Sequence, residues 1–135
     1  MKRLFCLITV SVLLLSCSKT IEKPAVTIAQ YSKQVVQINE VINKLMNEPD
    51  VKVMNFMADG VESTRAIGCD AVGEECNAYY GFVNKIVDLT KDGELSDDDR
   101  LLLLKMRQRL DVELQKSEIK IQADWKNYIN ADKRN

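Results

Sequence analysis

Residues 28–45 read IAQYSKQVVQINEVINKL. Ile28, Tyr31, Val35, Ile38, Ile42 and Leu45 recur at intervals of 3, 4, 3, 4 and 3. A strand alternates every second residue, whereas a helix returns to one face every 3.6. The stretch therefore predicts a helix with a narrow apolar seam of coiled-coil type. Gln30, Lys33, Gln34, Gln37, Asn39, Glu40, Asn43 and Lys44 cover its other faces. The helix should end near Glu48, because Pro49 disfavours helical backbone at the residue before it.

Downstream the same period continues. Pro49 can open a second helix, with Asp50 near the positive end of its dipole. Met54, Met57 and Val61 carry its apolar face, with Val53 and Phe56 beside them, to about Ala66. A third helix should start near Asn77 and bury Tyr79, Phe82, Val83, Ile86 and Leu89 or Val87. Asp92-Gly93 is a turn signal. Ser96 then resembles an N-cap with Asp99 as its capping-box partner. The last helix runs to about Asn130, on a seam of Leu103, Met106, Leu110, Leu114, Ile121, Trp125 and Tyr128. At ~1.5 Å per residue it approaches ~50 Å. Two prolines and five glycines in 135 residues suit long elements. Short connections make neighbouring helices antiparallel. The predicted fold is all-α: an elongated four-helix bundle.

The N-terminus reads differently. Lys2 and Arg3 precede an apolar run from Leu4 to Leu15, and Ser16 places a small residue before Cys17. This resembles the signal peptide and lipobox (Leu14-Leu15-Ser16-Cys17) of bacterial lipoproteins. The run is about 12 residues, short of the roughly 20 that span a bilayer. The resemblance implies removal of residues 1–16, a lipid on Cys17, a polar tether over 17–24 and a helical domain over 25–135. Membrane attachment would then rest on that lipid. In enterobacterial lipoproteins an aspartate after the cysteine retains the protein in the inner membrane. Ser18 at that place implies the outer membrane, facing the periplasm.

Losing 16 of 135 residues leaves 119, enough for one core. The net charge of −1 becomes −3 with Lys2 and Arg3 removed. That balance disfavours nucleic acid and a polybasic membrane patch. There is no histidine, which excludes Ser-His-Asp and Cys-His catalysis and histidine-ligated zinc.

Cys6 leaves with the signal, so Cys69 and Cys76 form an even pair in an oxidising compartment. On a continuous helix their Cα atoms would be ~10.5 Å apart, too far for a bridge. The chain must turn between them, and Gly68 and Gly73 supply that freedom. A structural disulfide there would contribute roughly 2–3 kcal/mol. A redox pair usually has two intervening residues, and two thiolates alone make a poor metal site.

The segment 88–99, DLTKDGELSDDD, resembles the calcium loop of EF-hands. The resemblance implies ligands from Asp88, Thr90 and Asp92, the carbonyl of Glu94, Ser96 through water, and Asp99, with Gly93 at the sharp turn. Thr90 and Asp99 depart from the usual acid or amide and the usual glutamate, and no second loop is present to pair with it. A plain helix–turn–helix uses many of the same residues: Gly93 ends a helix and Ser96-x-x-Asp99 begins one. Asp97, Asp98 and Asp99 also suit a helix N-terminus.

Met46, Met54 and Met57 could offer a soft surface, but methionines at helical spacing are mostly core filler. Tyr79, Tyr80, Trp125 and Tyr128 could anchor a partner, but their spacing also suits core. Three functions remain. The first is a non-enzymatic, lipid-anchored periplasmic module that binds an envelope protein, in the manner of pilotins, immunity or exclusion proteins. The second is a calcium-binding structural lipoprotein using residues 88–99. The third, an enzyme, needs a concave polar pocket that the sequence does not display.

Overall fold

A computed structural model describes residues 21–65 and 75–134 of the chain. Among them are four helices and no strand: α1 (Ile28–Asn47), α2 (Val51–Thr64), α3 (Glu75–Thr90) and α4 (Asp97–Asp132). The described residues divide into two compact units. The larger, Ala25–Ala123, is an all-α bundle. The smaller contains residues 21–24 and 124–134.

The starts of α1, α2 and α4 each have a local cause. Thr27 caps α1 in a reciprocal box: Gln30 N–H donates to Thr27 Oγ1 at 3.0 Å, and Thr27 N–H to Gln30 Oε1 at 2.8 Å. Val26 and Tyr31, the two positions of a hydrophobic staple around that cap, are both buried. Asp50 caps α2 by accepting from the N–H groups of Lys52 and Val53. Pro49 thus lies outside α2 rather than at its first position. Ser96 and Asp99 form the expected box at α4, with bonds of 3.1 and 3.2 Å. α3 begins at Glu75, two residues before the predicted start.

The core draws on every helix. Ile38, Ile42 and Leu45 come from α1, and Met54 and Ala58 from α2. Tyr79, Phe82, Val83 and Ile86 come from α3, and Leu103, Leu110 and Leu114 from α4. α2 and α3 approach most closely. The small Ala58, fully buried, suits that approach. Asn55 ties the pair: its Nδ2 donates to Val87 O at 3.1 Å and to Thr90 Oγ1 at 3.0 Å.

Two seam assignments shift. Ile28 is 45 % exposed, and Gln34, read as a surface residue, is buried. Val53 and Phe56 face solvent rather than flanking the core, because α2 packs through Met54 and Ala58. In the smaller unit, Trp125 and Tyr128 stack edge-to-face with centroids 5.8 Å apart. The Lys23 ammonium lies 5.9 Å from the Trp125 ring centre, within cation–π range.

Candidate functional site

The most unusual chemistry is a buried polar cluster joining α1, α3 and α4. Glu75 is fully buried at the first turn of α3, where the helix dipole favours a carboxylate. Ser117 Oγ, buried on α4, donates to Glu75 Oε2. Glu75 Oε1 has no hydrogen-bond partner among the described residues. Beside them, Tyr31 donates its hydroxyl to Leu114 O at 2.6 Å. Gln34 Nε2 lies 3.9 Å from Cys76 Sγ. A buried carboxylate with one oxygen unbonded is costly. The neighbouring hydroxyls therefore fasten the three helices where the 66–74 segment joins α3.

Burial pushes the Tyr31 phenol up to about 12; the Glu75 charge adds to this and the Ser117 hydrogen bond opposes it. Burial also raises Tyr79 to about 12, with a smaller contribution from Tyr80. Both phenols are thus held neutral in the fold. Their contribution to stability is complete below the unfolded value of ~10 and falls as pH rises from ~10 through ~12. A denaturant midpoint followed through that window is expected to drop steeply, and Tyr31→Phe should flatten the drop.

This cluster does not present a reacting group to a ligand. Glu75 is closed to solvent, and a general base must come within hydrogen-bond reach of a substrate proton. Sequence reasoning missed Glu75, Ser117 and Gln34 as interior residues. The signal was present for two of them. Ser117 fills the gap in the seam between Leu114 and Ile121, and Gln34 lies three residues after Tyr31 and four before Ile38.

Residues 88–99 are engaged as a helix connection. Thr90 is buried at the end of α3, donates to Ile86 O and accepts from Asn55. Gly93 has φ +78° and its N–H donates to Thr90 O, turning the chain out of α3. Asp99 and Ser96 are held in their capping box. Asp88 lies 3.6 Å from Lys91 Nζ on the surface, and Asp92 and Glu94 are exposed. Among the described residues no three His, Cys, Asp or Glu side chains converge on a metal position. Thr90, turned to the core, does not fit an oxygen cage. Melting of the chain is accordingly expected to be the same in millimolar calcium as in chelator; an upward shift of several degrees would reverse this assignment.

The remaining candidates are placed as follows. Met46 and Met54 line a largely apolar cavity of about 200 Å³ with Ile86, Leu95, Leu103, Leu104 and Arg100. Met57 packs partly buried on the core. Tyr79 is core, and the Arg65 guanidinium lies 4.5 Å from the centre of the Tyr80 ring. Cys76 is half-buried at the start of α3. Its predicted partner Cys69 lies outside the described residues, as do Cys17 and the whole 1–16 signal. No helix among the described residues is long and apolar enough to cross a membrane.

Several large apolar side chains face water. Phe56 is 79 % exposed on the outer side of α2, near Val53 at 41 %. Leu101, Leu104, Val112 and Ile119 are exposed on α4. No protein-family model, curated protein or solved structure matches the chain.

Proposed function

We propose that this chain is a lipid-anchored module of the bacterial envelope that binds a protein partner through the outer face of α2. The observation that carries this reading is Phe56. Its ring is left mostly in water although the neighbouring turns of the same helix bury Met54 and Ala58 in the core. Burying such a side chain in a partner is worth ~1.5–3 kcal/mol, and aromatic residues are enriched at interfaces. The address comes from the resemblance of Leu14-Leu15-Ser16-Cys17 to a lipobox, with Ser18 favouring the outer membrane. A Cys69–Cys76 disulfide belongs to the same reading, as a staple of the connection between α2 and α3 in an oxidising space.

The test is affinity capture of the full chain from membranes in mild detergent. A stoichiometric envelope protein should be retained, and Phe56→Ser should lose it while keeping its helical content. Capture of nothing by the parent chain, or equal capture by Phe56→Ser, would sink the proposal.

A further inference from the structure

α4 is apolar on two opposite sides. Leu103, Leu110, Leu114 and Ile121 lie in the core. Half a turn away, Leu101 (51 % exposed), Val112 (49 %) and Ile119 (60 %) face solvent, and Leu104 (51 %) lies at the edge of this side, where it also lines the cavity with Met54. Leu101 and Val112 are eleven residues apart, as are Gln108 and Ile119 on the same face. Eleven residues make almost three whole turns of an α-helix, so this stripe runs nearly parallel to the helix axis. It belongs wholly to the larger unit and is separate from the α2 patch.

Charges flank the stripe on both sides, with the same period. On one flank are Asp98 and, eleven residues on, Arg109, with Lys105 and Lys116 beside them; on the other are Arg100 and, eleven residues on, Asp111, with Glu118 beyond. All seven are on the surface. Asp111 also lies 3.3 Å from Arg107 Nε of its own helix. When two copies of a helix pair side by side in parallel, each flank meets the opposite flank of the partner at nearly the same height. Asp98 then faces Arg100 of the second copy, and Arg109 faces Asp111 of the second copy, each twice by symmetry. An antiparallel pair sets like flank against like, bringing Arg109 to Arg109 and Asp111 to Asp111 near its centre. The order of charges therefore selects one partner and one direction.

We infer that the outer face of α4 is a self-association surface, and that a second copy of this chain pairs with it in parallel through Leu101, Leu104, Val112 and Ile119. Gln108 and Gln115 interrupt the stripe. The contact is accordingly modest and concentration-dependent rather than obligate. The inference does not rest on the partner reading for α2, and its readout is independent of captured protein.

The experiment is cysteine cross-linking of the full chain in detergent micelles, scored against the parent chain for background from its own cysteines. Leu101→Cys and Ile119→Cys are each expected to form a covalent dimer with themselves under mild oxidation. Arg109→Asp in either background should reduce the dimer about fivefold, since exposed ion pairs are individually weak. Adding Asp111→Arg to Arg109→Asp should restore it. Circular dichroism of each variant verifies that the helices persist. Dimer only when Leu101→Cys is mixed with Ile119→Cys would mean antiparallel pairing and overturn the inference. No dimer above the parent background, or no response to the charge exchange, would also overturn it.

Discussion

Replacing Phe82 by alanine is expected to lower the unfolding free energy by about 3–5 kcal/mol. The ring is fully buried in α3, in a core cluster to which all four helices contribute. Its loss removes apolar burial and leaves a cavity that the surrounding helices cannot close. Domains of this size commonly have only ~5–15 kcal/mol in total, so the variant should sit near the edge of folding at 37 °C. Urea denaturation measures this directly: the midpoint falls while the slope is unchanged. Phe56→Ser provides the contrast, with an expected change within ~0.5 kcal/mol, because that ring contributes little to the core. A loss below ~1 kcal/mol for Phe82→Ala would mean that the cluster is packed differently.

Under the proposed lipoprotein reading, Cys17→Ser should move the chain from the membrane to the soluble fraction of the envelope. A lipobox without its thiol cannot take the diacylglyceryl group. A net charge of −1 for the whole sequence gives little general attraction to an acidic bilayer. Fractionation followed by immunoblotting reads the result. If the serine variant still sedimented with membranes after a high-salt wash, the lipoprotein resemblance would no longer explain attachment.

Helix existence was legible because two signals agree along most of the chain. The 3.6-residue period gave Ile38, Ile42 and Leu45 as interior, and they are. The Ser96–Asp99 pair marked the start of α4 through a local bond that does not depend on packing. Faces were less legible at helix ends and at polar seam positions. Ile28 matches the period, yet it sits in the first turn beyond the reach of the core. Ser117 breaks the apolar pattern, yet it is buried because Glu75 supplies a partner from another helix. Such pairs are tertiary facts: neither residue announces the other in the sequence. For residues 88–99, one string of letters suits both a calcium loop and a helix turn. Only the direction of Thr90, into the core and bonded to Asn55, separates them.

Asn55 has a consequence of another kind, in the chemical ageing of the protein. Its amide nitrogen is a donor aimed at two acceptors, the carbonyl of Val87 and the hydroxyl oxygen of Thr90. Hydrolytic loss of ammonia would leave a carboxylate there, with oxygen facing oxygen across the α2–α3 seam. Thr90 could turn its proton toward the new acid only by releasing Ile86 O. An old molecule would thus differ from a fresh one by one amino group exchanged for an oxygen at one seam, and that seam is where it should first begin to part.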